Sequence, residues 1–177
     1  LFRPTTPKFN KPFKVLITNA GKWGWKSDIY GYGYTPIHPI TNKLWPKIPE
    51  SILEIWKDYC KDYPLPNSCL INLYNYPDST LGVHQDKDER NFNNPVLSIS
   101  LGSSAIFVYG KKKTKMKKIC LSSGSIVLMD GNSRLDYHGI RKIIKDEKNI
   151  LNQKKNFGFP RNSRINITLR VYESKNY

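Results

Sequence analysis

The chain has 177 residues, 38% hydrophobic and 12% aromatic, with 29 Lys and Arg against 14 Asp and Glu and a formal net charge of +15. This is one domain's length with enough apolar residues for a core, which excludes a disordered tail, and no run of about 18 apolar residues occurs, which excludes a transmembrane helix. The positive excess fits a polyanionic partner such as nucleic acid, although 22 of the basic residues are Lys in a chain rich in Asn and Ile, the mix that an AT-rich genome writes onto any surface.

Residues 1 to about 14, rich in Pro and Lys, read as an extended arm, and the first residues have no apolar segment of the signal-peptide kind. Residues 15–46 are dense in Gly, Tyr, Trp and Pro and suit short strands and turns carrying an aromatic surface. Residues 49–63 form the best helix. Ile52, Leu53, Ile55, Trp56, Tyr59, Cys60 and Tyr63 share one face, and Pro64 and Pro66 end it.

From there the chain turns β-like. Cys69–Tyr76, Val96–Leu101, Ala105–Tyr109, Lys118–Leu121, Ser125–Asp130 and Arg164–Tyr172 are short β-branched or aromatic runs separated by Gly, Pro, Asn and Ser turns. That punctuation predicts a sandwich or jelly roll flanked by a helix. Residues 141–163, polar and Lys-rich, read as a surface excursion between two core strands. The three cysteines, Cys60, Cys69 and Cys120, form no C-x-x-C. They argue against a disulfide framework and fit a reducing cytoplasm.

The chain has three histidines. His84 lies in His84-Gln85-Asp86, where residues i and i+2 of an extended strand point the same way. A second imidazole from a later strand, His138, would complete two His and one carboxylate. That is the ligand set of non-haem Fe(II) oxygenases. The bland alternative is a surface His near an acid. His38, between prolines, reads as a loop residue.

The last strand sharpens this reading. Arg164, Asn166, Thr168 and Arg170 occupy one face, and Ile165, Ile167, Leu169 and Val171 the other. Two inward guanidiniums need anionic partners, and a dicarboxylate serves both, since each fork takes a carboxylate bidentately. A solvated edge strand is the alternative. Asn72 and Tyr74 likewise alternate with apolar neighbours just before the His84 turn.

These residues resemble the AlkB family of Fe(II)- and 2-oxoglutarate-dependent dioxygenases. The likeness runs from about Trp25 to Tyr172. It is carried by Cys69-Leu70-Ile71-Asn72-Leu73-Tyr74, His84-Gln85-Asp86-Lys87-Asp88-Glu89, Ser98-Ile99-Ser100-Leu101-Gly102, Ser133-Arg134-Leu135-Asp136-Tyr137-His138-Gly139 and Arg164-Ile165-Asn166-Ile167-Thr168-Leu169-Arg170. It resembles the bacterial DNA-repair branch in particular.

The resemblance implies a double-stranded β-helix (jelly roll) forming one domain over 1–177, with residues 15–46 as a nucleotide-recognition lid and 69–172 as the catalytic core. It implies Fe(II) held by His84, Asp86 and His138, and 2-oxoglutarate held by Asn72, Tyr74, Arg164, Asn166 and Arg170, with Arg164 at the distal carboxylate and O₂ as the other cosubstrate. On the substrate side it makes Trp25 the stacking surface for the target base, Tyr32 and Tyr34 the lining of its phosphate side, and Asp88 the contact to the base edge. Lys112, in the Lys111–Lys118 run, stands where the family has a phosphate-contacting Arg, and Arg134 becomes support near the metal.

The implied reaction is oxidative demethylation of N-alkylated bases such as 1-methyladenine and 3-methylcytosine in single-stranded DNA or RNA, by a cytoplasmic monomer that engages no membrane. Formaldehyde, succinate and CO₂ are the products. Two other readings stay open: a 2-oxoglutarate oxygenase acting on a protein, lipid or small molecule, and a non-enzymatic β-sandwich that binds nucleic acid. Taken by themselves, the aromatic segment reads as packing and the Lys111–Lys118 run as a solvated hairpin tip.

Overall fold

The structure, a computed structural model, describes residues 1–146, 148–153 and 158–174. In chain order the elements are β1 (Leu16–Gly21), β2 (Gly24–Asp28), β3 (Gly31–Thr35), α1 (Glu50–Tyr59), β4 (Ser68–Tyr74), β5 (Leu81–His84), β6 (Val96–Gly102), β7 (Ala105–Lys112), β8 (Lys115–Leu121), β9 (Ile126–Met129), β10 (Tyr137–Ile143), α2 (Ile150–Gln153) and β11 (Arg164–Arg170). A five-stranded sheet runs β1-β4-β11-β6-β9, a four-stranded sheet β5-β10-β7-β8, and β2-β3 form a separate hairpin. Every paired strand is antiparallel. The architecture is a jelly roll, mainly β with a flanking helix.

Two apolar clusters follow from strand periodicity. Between the sheets lie Ile17, Leu70 and Tyr74 from one, and Phe107, Leu121, Ile140 and Ile143 from the other. Outside the larger sheet, α1 lays Trp56 over Cys69, Leu97, Ile99, Ile167 and Leu169. Strand β11 thus sends its odd-numbered residues out to the helix and leaves its even-numbered polar ones facing the space between the sheets. The hydrophobic effect chooses that orientation, because it buries one uninterrupted apolar row under Trp56.

Several expectations change. The helix stops at Tyr59, with Cys60 already out of helical geometry, and Tyr63 lies beyond its end. Its hydroxyl donates to Asp130 Oδ2 at 2.7 Å instead. The segment 15–46 is not all lid. β1 is a core strand paired with β4, with Val15 and Ile17 buried, and Trp45 is buried too. Only β2–β3 forms the projecting hairpin. The arm at 1–14 is pinned, with Phe2 bridged to Ile17 by two backbone hydrogen bonds and Ser27 Oγ donating to the Thr5 carbonyl.

Residues 141–163 are not simply a surface excursion. Ile143 ends β10 inside the core, and buried Asn149 donates to Ser103 Oγ at 2.8 Å and the Ser163 carbonyl at 2.7 Å. Leu151 sits against Gly102, where a Cβ would meet its Cδ1 and the Ser163 carbonyl, both at 2.6 Å. The part of this stretch at 147 and 154–157 lies outside the described residues.

Leu169, fully buried beneath Trp56, tests this account. Leu169→Ala is expected to cost about 2–5 kcal/mol. Urea denaturation should show a lower midpoint with an unchanged slope, and an unaltered midpoint would contradict the outward packing of β11.

Candidate active site

The two sheets enclose a cavity of about 660 Å³. His84, Asp86 and His138 line it, and so do Asn72, Tyr74, Arg164, Asn166, Thr168 and Arg170. The metal-type triad is assembled by register. β5 and β10 pair with His84 directly opposite His138, their ring centroids 4.4 Å apart. Asp86 follows just beyond the end of β5. Its Oδ1 is 3.6 Å from His84 Nε2 and its Oδ2 3.7 Å from His138 Nε2. One ligand atom from each of the three residues lies within 4.8 Å of the others.

Backbone carbonyls set the rings. His84 Nδ1 lies 2.8 Å from the Gly82 carbonyl, and His138 Nδ1 lies 3.0 Å from that of Asp136. A carbonyl only accepts, so each Nδ1 carries a proton and Nε2 is left as the ligand atom. Burial opposes the charge on His84, but the hydrogen bond and charge of Asp86 outweigh it and raise its pKa. His138 goes the other way, because burial is only partly offset by Asp86. Burial also opposes ionisation of Asp86, yet the Arg170 guanidinium, with both histidines, holds its carboxyl well below the usual range.

The two arginines of β11 have different company. Arg170 Nη2 lies 2.8 Å from Asp86 Oδ2, and its Nε 3.3 Å from Glu89 Oε1. Arg164 is fully buried and meets only neutral groups, donating to Ser100 Oγ at 2.6 Å and the Ser103 carbonyl at 3.3 Å. Its Nε has no acceptor, and among the described residues no carboxylate pairs with it. Burial lowers its pKa, with the Tyr74 hydroxyl opposing. A buried guanidinium without a counter-ion is costly unless an anion joins it, and a carboxylate matches its fork. Arg164 stands in register with Tyr74, and Asn166 with Asn72. Asn166 Nδ2 donates to Ser98 Oγ, and its Oδ1 accepts from Thr168. Arg134 is buried, with Nη1 donating to the Asp86 carbonyl at 2.7 Å.

The lid residues divide. Trp25 and Tyr32 line the cavity, stacked 5.8 Å apart at 19°, and Trp25 Nε1 donates to Asp88 Oδ2 at 2.9 Å. Asp88 also lines it. Tyr34 does not. Its ring stacks on Tyr172 at 4.0 Å and its hydroxyl donates to Glu89, because on β3 it lies against the buried charges rather than the opening. Lys112 is exposed on the β7–β8 hairpin, outside the lining. Lys113 is in it, with Nζ 5.3 Å over the Tyr137 ring. Lys111 is committed to Asp136 at 2.7 Å. His38 belongs elsewhere, its Nδ1 accepting from the Ile40 and Thr41 amides.

Sequence reasoning passed over Glu89 as a site residue. Its place in the H-x-D-x-x-E run was visible, but its partners come from three distant segments.

The donor set, two neutral imidazole nitrogens and a carboxylate with open positions, fits Fe(II). The carboxylate-free Arg164 fits one end of a 2-oxoglutarate dicarboxylate.

Comparison with known proteins agrees with this reading. The family model of the 2OG-Fe(II) oxygenase superfamily matches residues 1–170. The chain is 37% identical over 164 residues to the alpha-ketoglutarate-dependent dioxygenase AlkB homolog of Caulobacter vibrioides, covering 92% of this chain and 70% of that one. It is 38% identical over 118 residues to the DNA N(6)-methyladenine demethylase ALKBH1C of Arabidopsis thaliana, covering 62% of this chain and 25% of that one. The solved structure of OsALKBH1 superposes with a TM-score of 0.76 at 28% identity, covering 94% and 83% of the two chains.

Gly139 tests how the triad is assembled. A Cβ there would meet the Leu81 carbonyl at 2.8 Å and the Gly82 carbonyl at 3.0 Å. Gly139→Ala should push β5 off β10 and part the two histidines. Isothermal titration with Co(II) should then show at least about tenfold weaker binding, and unchanged affinity would disprove assembly by register. By its matched sequence and its jelly-roll fold, the chain belongs to the AlkB family of Fe(II)- and 2-oxoglutarate-dependent dioxygenases.

Proposed function

We propose that this dioxygenase removes N-alkyl groups from nucleobases such as 1-methyladenine and 3-methylcytosine in single-stranded DNA or RNA. The observation that carries the proposal is the pairing of Trp25 and Asp88 on the same cavity as the triad. An indole face offers a stacking surface to any base. A carboxylate fixed beside it favours the cationic bases that N1 or N3 methylation creates, since opposite charge stabilises the cation. The relationship to a demethylase of DNA N(6)-methyladenine supports a nucleic-acid substrate, as does the +15 charge. A base must leave its stack to reach a cavity between two sheets, which favours single strands or weakly paired lesions.

His84, Asp86 and His138 would hold the iron. Arg164 would take the distal carboxylate of 2-oxoglutarate, with Tyr74, Asn72 and Asn166 lining its path, and Arg170 would stand at the metal-chelating end. Held there, iron would let O₂ give one oxygen atom to 2-oxoglutarate, leaving succinate and CO₂, and the other to an N-methyl group, which would then leave as formaldehyde. Trp25 and Tyr32 would orient the base, Asp88 would hold its charged edge, and the apolar wall of Ile17, Leu70 and Phe107 would exclude water.

The test is incubation of single-stranded oligonucleotides carrying each lesion with Fe(II) and 2-oxoglutarate, read by mass. Loss of the methyl group with matching succinate is expected. Succinate release with every oligonucleotide unchanged would redirect the proposal to another substrate class. Arg164→Ala should raise the 2-oxoglutarate requirement by the equivalent of about 3–5 kcal/mol and leave Co(II) affinity alone. Arg170→Ala should likewise weaken 2-oxoglutarate binding much more than metal binding. Equal 2-oxoglutarate KM values in wild type and Arg164→Ala would remove Arg164 from the cosubstrate site.

Stacking and charge are separable. Trp25→Ala removes a surface worth roughly 1–3 kcal/mol per base, so repair efficiency should fall while the salt dependence of strand binding stays fixed. Replacing Lys112 and Lys113 by Ala should flatten that salt slope and barely change lesion preference. If Trp25→Ala only lowers the melting temperature, with activity per folded molecule intact, Trp25 is a packing residue.

A further inference from the structure

Glu89 is buried, and three side chains converge on its carboxylate. Arg134 Nη2 donates to Oε2 at 3.0 Å, Arg170 Nε stands 3.3 Å from Oε1 as an ion pair without a hydrogen bond, and the Tyr34 hydroxyl donates to Oε1. The same two arginines grip Asp86 from opposite ends. Arg134 Nη1 donates to its backbone carbonyl at 2.7 Å, and Arg170 Nη2 meets its Oδ2 at 2.8 Å. The result is a closed ring from Asp86 main chain to Arg134, to Glu89, to Arg170 and back to the Asp86 side chain. Two negative and two positive charges are buried in it. Arg134 is further fixed by its Nε donating to the Asn94 carbonyl at 2.8 Å, and Arg170 Nη1 reaches the Tyr34 hydroxyl at 3.5 Å.

We propose that Glu89 is a positioning residue of the metal centre, setting where and how strongly Asp86 presents its carboxylate by holding both arginines from behind. This rests on the reading of His84, Asp86 and His138 as the metal ligands. The physical argument is one of shared charge. Asp86 must ligate a cation while a guanidinium stands 2.8 Å from the same carboxylate. If Arg170 had Asp86 as its only counter-ion, it would compete with the metal for those oxygens. Glu89 takes part of the demand and draws Arg170 back. Through Arg134, Glu89 also fixes the main chain of Asp86, so the carboxylate pivots from a fixed point. Tyr34 completes the device. Its hydroxyl meets Glu89 and Arg170, and its ring is clamped by Tyr172, which ties the β2–β3 hairpin to the ring around Asp86.

The test uses metal-free protein titrated with Co(II), followed by visible absorption, with thermal melting recorded in parallel. Glu89→Gln keeps the shape and removes the charge. It should bind Co(II) about 10–100-fold more weakly, the range typical of groups that orient metal ligands, and its d–d absorption should shift because Asp86 is held differently. A residue serving only fold stability would lower the melting temperature and leave the affinity and spectrum of folded protein unchanged, and that result overturns the proposal. Should Glu89→Gln fail to fold, Tyr34→Phe decides: it keeps the stack on Tyr172 and removes only the hydroxyl that Glu89 and Arg170 share. Weakening by at least about threefold upholds the proposal, and unchanged affinity overturns it. Asp86→Ala is the control. Co(II) binding as tight as wild type in that variant would sink the metal-site reading itself, an outcome distinct from failure of the Glu89 role alone.

Discussion

Charge buried between two β-sheets is the constraint to which the rest of this molecule answers. Asp86, Glu89, Arg134, Arg164 and Arg170 are all buried, and a charge taken out of water costs several kcal/mol unless well-placed partners offset it. Four of the five solve this among themselves, in a ring that neutralises itself and fixes Asp86 at both ends. Arg164 is the exception, surrounded by a serine hydroxyl, a carbonyl and a phenol. Among the described residues no carboxylate pairs with it, an arrangement that suits an anion arriving in the cavity it lines.

Strand β11 makes this arrangement affordable. Its outward row of Ile165, Ile167, Leu169 and Val171 is packed beneath Trp56 of α1, so the inward row can be polar without unfolding the sheet. The neighbouring strands repeat the pattern. Leu70, Asn72 and Tyr74 of β4 and Val96 and Ser98 of β6 face the cavity, while Cys69, Leu97 and Ile99 face the helix. Rigid strands on both sides hold the polar groups to within the tolerance that ligand binding demands. The smaller sheet contributes the histidines, aligned by one cross-strand pair, and the glycine beside His138 lets β5 approach that closely.

At the mouth of the cavity the physics changes from buried charge to exposed surface. The β2–β3 hairpin offers a stacked Trp25–Tyr32 pair whose indole is anchored to Asp88. The lysine-rich β7–β8 hairpin stands by, but its charges are not equally free. Lys111 is spent on Asp136, whose carbonyl orients His138, and Lys113 lies over Tyr137. The net charge of +15 therefore overstates what this edge can offer a polyanion. It also means that the hairpin and the metal loop share a mechanical link.

Much of this was legible in the chain itself. Alternation over Arg164–Arg170 announced a strand with one polar and one apolar face, helical spacing around Trp56 announced the flanking helix, and His84-Gln85-Asp86 with a later His138 announced a metal set. These are local patterns, set by backbone periodicities of two and 3.6 residues, and no partner is needed to read them. Tertiary packing decided the rest. Nothing in the aromatic run at 30–34 separates Tyr32, which faces the cavity, from Tyr34, which turns inward to Glu89. The order of residues does not say that Val15 and Ile17 are buried in the core rather than part of the lid, or that Asn149 clamps a stretch that looks like solvated loop. Least of all does it say that Glu89, Arg134 and Arg170 close a ring around Asp86. The sequence determined which groups are present and on which face of a strand they fall. Which of them meet was settled only when distant segments were brought together, because a buried charge chooses its partner by distance in space and not along the chain.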